Sequence, residues 1–277
     1  MSHFRSILLQ LDASSAAAAR LDAAWTLALR QEAALSALYV AAPPRHPLQL
    51  ALAEGPAALS VAADGAAGPE LARRRFHDVS TRGGPAMHWL EPARIDPVDA
   101  FCHEALYADL LVLGPAEPAA APEAVAPDDF VETALLRSGR PALVLPAGHA
   151  GAPFGGGALV GWNATPAAAH AVSAALPWLT AARQVHVLQA SDAGAPAQPE
   201  GLDIVRYLGF HGIVARLHRQ RATPREAGDV LLSAACDLGA DLLVMGCDSR
   251  GRAREAVLGG ATRTVLRTLT LPVLMAH

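Results

Sequence analysis

The sequence predicts an α/β protein made of two similar domains, each a parallel sheet with helices between its strands. Three observations carry that prediction. First, short apolar runs alternate with alanine-rich or amphipathic stretches throughout the 277 residues. Second, the runs are apolar at nearly every position, as expected for strands covered on both faces. Third, the pattern repeats. ADLLVLG at 108–114 returns as ADLLVMG at 240–246, ILLQLD ending at Asp12 returns as ALVGWN ending at Asn163, and RPALVLPA from Arg140 returns as the closing LPVLMAH. Asp12 and Asn163 are 151 positions apart, whereas Gly114 and Gly246 are 132 apart, because the first half carries a longer proline-rich insertion. One repeat of a strand–helix alternation means two βαβ-type domains.

In the first half, residues 4–11 form an apolar run closed by Asp12 and read as a buried strand. An alanine-rich helix follows over 13–32, with Ser14 or Ser15 as its N-cap. Residues 34–40 (ALSALYV) are a second strand. Pro43, Pro44 and Pro47 then break the pattern, and the Ala/Gly/Pro-rich stretch to Gly68 offers only a short helical reading at 48–53. A third strand is expected at 87–90, a helix at 96–107, a fourth strand at 108–114, a helix at 129–138 and a fifth strand at 141–146. The glycine-rich stretch 148–157 (GHAGAPFGGG) is the natural linker, giving domains at 1–149 and 155–277.

The second half restarts with a strand at 158–162. Thr165-Pro166 then supplies a hydroxyl cap and a proline whose missing N–H costs nothing at a helix start. Strands are expected at 184–189 and 213–217, with a helix at 201–212 between them. Thr223-Pro224-Arg225-Glu226 fits a capping box opening a helix that runs to Leu238, where Gly239 stops it. The last strand–loop–helix–strand is the most telling stretch. A strand ends at Gly246, Gly259-Gly260 opens an amphipathic segment, and 271–275 is the final strand. Glycines that bring backbone N–H groups to a helix N-terminus at a strand end are where α/β proteins hold phosphates.

That stretch resembles the C-terminal half of a universal stress protein domain. The family's nucleotide loop is glycine, two residues, glycine, nine residues, glycine and then Ser or Thr, after a strand of the DLLVMG type. On this chain Gly246 and Gly259 match the first and third glycines, while Ser249 and Gly260 stand at the second glycine and the hydroxyl. The resemblance covers both halves. It implies two tandem Rossmann-like domains of the adenine nucleotide alpha hydrolase type, each a five-stranded parallel sheet in the order 3-2-1-4-5, packed as an intrachain pseudo-dimer. It implies a stress-response regulatory protein rather than an enzyme, with ATP and Mg²⁺ in the second domain. The implied site there is Asn163 (at the position of the family's acidic residue that meets adenine), the turn after Leu188, Gly246, Ser249, Arg250, Gly259 and Gly260. In the first domain the matching positions are Asp12, Val40 and Gly114. There the loop after Gly114, PAEPAAAPEAVAP, has no glycine, and its prolines remove donors a phosphate needs. Asp12 then reads as a strand-end aspartate capping its helix.

Composition narrows the other functions. Charged residues are 17% of the chain and the net charge is −4, which gives no global attraction for nucleic acid or an anionic membrane surface. No apolar run approaches the ~20 residues that span a bilayer, and no secretory signal is expected, since MSHFRSILLQLD runs straight into a strand pattern. The three cysteines, Cys102, Cys236 and Cys247, have no CxxC spacing, so a reducing, cytoplasmic setting is expected. Cys102 and Cys236 read as helix core residues, and Cys247 as an inert thiol or a redox-responsive one in the loop after Gly246. The eleven histidines show no metal-ligand spacing, and Arg73-Arg74-Arg75 reads as a solvated face. Two alternatives of other classes stay open: a protein-interaction pseudo-dimer that has lost its nucleotide, and an adenylyl-transfer or nucleotide-hydrolysing enzyme on the same fold. An unknown protein partner and a homodimer fit either.

Overall fold

The structure is a computed structural model that describes residues 4–41, 68–91, 96–115, 126–149, 151–191, 202–223, 225–247 and 258–277. The helical reading at 48–53, and Ser249 and Arg250, lie outside the described residues. The chain divides into two compact units, Met1–Arg140 with Ala147–Gly151, and Pro141–Pro146 with Ala152–His277.

In the first unit the described elements are β1 (Ser6–Leu11), α1 (Ala16–Gln31), β2 (Ala34–Tyr39), α2 (Gly68–Ser80), β3 (Met87–Leu90), α3 (Pro97–Glu104), β4 (Leu110–Leu113) and α4 (Phe130–Arg137). The strand order is β3-β2-β1-β4, all parallel. β1 lies in the middle, with Ile7 opposite both Leu35 and Leu110, and its apolar run is buried as the sequence predicts. Asp96 caps α3 by accepting from the Val98 and Asp99 N–H groups, with Pro97 at the first helical position. Phe101 of α3 meets Phe130 of α4 edge-on at 5.1 Å between ring centres.

α2 was not legible in the sequence; on it Arg73 and Arg74 are exposed, as the solvated-face reading of the cluster has it, while Arg75 is half-buried. Arg73 lies over the Trp89 ring, 5.7 Å from its centre, and pairs with Glu91. Arg75 donates to the Ser14 carbonyl at 2.8 Å. A guanidinium on a long apolar stem can cover an aromatic ring and still reach an acceptor, so a solvated arginine face can also pack.

The second unit contains β5 (Ala142–Val144), β6 (Gly157–Gly161), α5 (Pro166–Ala181), β7 (Gln184–Ser191), α6 (Ile204–Phe210), β8 (Ala215–Arg221), α7 (Ala227–Asp237), β9 (Leu242–Gly246), α8 (Gly260–Arg267) and β10 (Val273–Ala276). Its sheet runs β5-β10-β9-β6-β7-β8. The five strands from β6 onwards are parallel and stand in the 3-2-1-4-5 order, while β5 pairs antiparallel with β10. Thr165 caps α5 through the Ala168 N–H at 3.2 Å. Glu226 reaches back to the N–H and hydroxyl of Thr223 at 2.9 and 2.8 Å. Thr223 spends its hydroxyl on that carboxylate, and α7 begins only at Ala227, later than a full capping box would set it. Gly239 ends the helix with φ +63°, a conformation glycine adopts without strain.

The repeated ADLL sequence has a structural use at the strand ends opposite the candidate site. Asp109 accepts from the Arg5 and Ser6 N–H groups at 2.7 and 3.0 Å. Asp241 accepts from Gly155, Gly156 and Gly157 at 2.8, 3.2 and 3.1 Å. Each carboxylate thus holds the backbone that leads into the first strand of its own unit.

Candidate functional site

In the second unit a cavity of about 180 Å³ opens where β6, β7 and β9 end and α7 and α8 begin. Its polar groups are few: Asn163, Thr223, Thr262 and the backbone of Gly259–Ala261. Its walls are Trp162, Leu188, Leu231, Met245 and alanines. A mainly apolar cleft with a few placed polar groups, at the carboxyl ends of parallel strands where the strand order reverses, is the usual form of a small-molecule site on this architecture. Of the expected residues, Asn163, Leu188, Gly246, Gly259 and Gly260 all line it.

Local sequence explains how each is placed. Gly161 and Gly246 are the last residues of their strands and lie on neighbouring strands, β6 and β9. A side chain on Gly161 would meet Leu231, 2.9 Å away, and would occupy the cleft. A side chain on Gly246 would run into the backbone of Ala167 and Ala168. Gly246 therefore lets the first turn of α5 close on the end of β9, a packing role independent of any ligand. Gly259 is the N-cap of α8, and Gly260 its first residue. The free N–H groups of that turn, and the positive end of its dipole, favour an anion.

Asn163 is exposed, and its Oδ1 accepts from the Thr165 hydroxyl at 2.8 Å. Between them Ala164 has φ +55°, a left-handed conformation that costs an alanine free energy and is held by the caps around it. The sequence reading missed Thr262, which is 2% exposed and lines the cleft. It lies two residues beyond the hydroxyl position of the family pattern, so motif spacing alone passes over it. Thr223 was read only as a helix cap, yet it too lines the cleft.

The first unit is built differently at the matching place. Asp12 is buried and accepts from the Ser14 N–H at 3.0 Å, the Ser14 hydroxyl at 2.5 Å, the Gln10 amide at 2.9 Å and Arg20 Nη2 at 3.2 Å. Arg20 is itself buried, and its Nε donates to the Gln10 carbonyl at 3.0 Å. The Gly114 N–H donates to Gln10 Oε1 at 3.1 Å. Val40 is fully buried and its N–H donates to the Leu11 carbonyl at 2.8 Å. Asp12, read from the sequence as the cap of its helix, instead bonds Ser14 ahead of α1, whose N-cap is Ser15, and it anchors a buried ion pair that the sequence did not disclose. The nearby Tyr39 hydroxyl is pushed up to about 12, first by burial and then by Asp12 and Glu91.

The cysteines divide against one expectation. Cys236, read as core, is exposed on α7, because the buried stripe of that helix passes through Gly228, Leu231 and Ala235. Cys102 is buried, which pushes its thiol up, the nearby Arg137 working against that. Cys247 is fully buried beside the end of β9. Among the described residues no group of three or more His, Cys, Asp or Glu is placed to hold a metal, and no helix is long and apolar enough to cross a membrane.

No family model and no curated protein sequence matches the chain. Solved structures do. A universal stress protein from Archaeoglobus fulgidus DSM 4304 aligns over 98% of this chain and 97% of its own, at 16% identity and a TM-score of 0.69. A functionally unknown protein from Pseudomonas aeruginosa PAO1 aligns over 99% and 93%, at 18% identity and a TM-score of 0.61. At such identities the likeness is one of fold. With its mostly parallel sheets and the strand order of its second unit, the chain has the α/β fold of the universal stress proteins.

Proposed function

We propose that the chain is a universal stress protein that acts by binding a ligand rather than by catalysis, and that the second unit holds an adenine nucleotide. The observation that carries this reading is the open cleft at the ends of β6, β7 and β9, capped by the start of α8. Its apolar walls suit a base and ribose. The Gly259–Ala261 backbone and the Thr262 hydroxyl suit the phosphates. Arg221 and Arg225, both exposed, flank the lining residues Ala222 and Thr223 and add positive potential at that rim. None of the described lining residues is a carboxylate, so Mg²⁺ would arrive with the phosphates rather than on protein ligands.

The test is to denature freshly purified protein and identify released small molecules by mass spectrometry, then to titrate the emptied protein with ATP and Mg²⁺. Near-stoichiometric adenine nucleotide supports the reading, and Gly259→Leu is then expected to abolish binding by obstructing the α8 N-terminus. An empty protein with no thermal shift in ATP and Mg²⁺ overturns it. A second reading, a protein-interaction module without a nucleotide, is favoured by the buried Gln10–Asp12–Arg20 cluster at the strand ends of the first unit. It predicts that second outcome.

A further inference from the structure

The two strand ends differ at three matched positions. Gln10, Asp12 and Arg20 in the first unit stand where Gly161, Asn163 and Ala171 stand in the second, each 151 positions on. The buried faces of the two helices confirm the match: Ala16, Ala17, Arg20 and Leu21 of α1 correspond one for one to Ala167, Ala168, Ala171 and Val172 of α5. In the second unit Ala171 is small, α5 closes onto Gly246, and Gly161 leaves the cleft open. In the first unit a side chain on Gly114 would run into the Arg20 guanidinium instead of helix backbone. Arg20 holds one Asp12 oxygen, Gln10 holds the other, and Gln10 also takes the Gly114 N–H.

We propose that Arg20 is a built-in occupant of the first unit's strand end, consuming with Gln10 the polar groups that a ligand there would need, so that the chain offers one strand-end ligand site and not two. The physical reason is the cost of displacing it. A ligand that took Asp12 would have to separate the carboxylate from a buried guanidinium paired with it, and one that took the Gly114 N–H would remove the donor it gives to Gln10 Oε1. The count of one ligand rests on the nucleotide reading of the second unit; the occupancy by Arg20 does not.

The first experiment needs no nucleotide. Arg20→Ala leaves a cavity beside a buried carboxylate, which fits a small guanidinium ion. Thermal melts of the full-length variant are expected to fall below wild type and to rise saturably with millimolar methylguanidinium, but not with methylammonium, while wild type does not rise with either. A variant that melts like wild type, or responds equally to both cations, overturns the proposal. If Arg20→Ala does not fold, NMR hydrogen exchange of the arginine Nε–H groups in the wild-type protein decides the same point. Arg20 is expected to exchange far more slowly than the exposed Arg74, and equal rates overturn the proposal. Titration of wild type with ATP and Mg²⁺ then reads the count. One nucleotide per chain agrees, two overturn the proposal, and none overturns the nucleotide reading while the methylguanidinium result still decides the role of Arg20.

Discussion

The strand ends of the two units show how one architecture can finish in opposite ways. In the first unit Gln10, Asp12, Ser14 and Arg20 close on themselves in a buried hydrogen-bonded cluster. In the second, Gly161, Asn163 and Ala171 leave room, and the space becomes a cleft lined by Trp162, Leu188 and the start of α8. The strands and the helix that follows are alike, and among the described residues the side chains at three matched positions differ. The comparison also separates two uses of glycine. Gly114 makes room for a guanidinium, whereas Gly246 makes room for the backbone of a helix. The same residue at the same strand end is therefore not the same signal, and a glycine match on its own says little about a ligand.

The comparison can be broken most forcefully at Arg20. Removing one member of a buried ion pair leaves the other uncompensated, and Arg20→Ala is expected to destabilise the protein by about 3–5 kcal/mol, measured by urea unfolding. A cost below about 1 kcal/mol, the range of exposed pairs, would show that Arg20 and Asp12 are solvated rather than locked together. Next comes Gly246→Ala. Helix backbone cannot yield as a side chain can, so about 1–3 kcal/mol is expected from overpacking. That cost should be the same with or without Arg20. Gly114→Ala, in contrast, should cost less in the Arg20→Ala background than in wild type, because the clash disappears with the guanidinium. The coupling should fall in the range of about 0.5–3 kcal/mol seen for residues in contact. Additive costs at Gly114 would place Arg20 elsewhere.

The smallest effect sharpens the contrast by pH. In the second unit His186 Nδ1 lies 2.9 Å from His218 Nε2 on the neighbouring strand. Burial holds His186 below its usual 6.5, and the nearby His218 and Arg216 lower it further. His186 therefore stays neutral in the fold over a range where the unfolded chain takes up a proton. The stability this group contributes is fully present above pH 6.5 and is lost as pH falls through its lowered value. Imidazole NMR titration should find His186 below its usual 6.5, and His218→Ala should raise it only in part, because burial remains. A midpoint unmoved by His218→Ala would separate the two rings.

Most of the architecture was legible because its signals are local. Apolar runs of four to eight residues, Thr165-Pro166 and Gly239 each state a strand, a helix start or a helix stop within a few positions. α2 was not legible, because Gly68–Ser80 follows a long Ala/Gly/Pro-rich stretch and is rich in charge. Its apolar face consists of only Ala72, Phe76 and Val79 among arginines that do not look like packing residues. The exposure of Cys236 was missed for a related reason, since an alanine-rich helix offers little contrast between its faces. At the cleft, Asn163, Gly259 and Gly260 were found through a spacing pattern. Thr262 was not, because a hydroxyl one half-turn further along a helix falls outside any fixed spacing.

What the sequence determined by itself is the α/β alternation, its single repetition, and the strand ends at Asp12, Gly114, Asn163 and Gly246, all set by residues close together in the chain. Only the tertiary structure decided which of those ends is filled. The Gln10–Gly114 hydrogen bond joins residues 104 positions apart, and Arg20 reaches Asp12 from the next turn of a helix that must first pack on the sheet. Whether a buried arginine finds its carboxylate depends on the space that folding leaves beside a glycine, and that space exists only once both strands and the helix are in place.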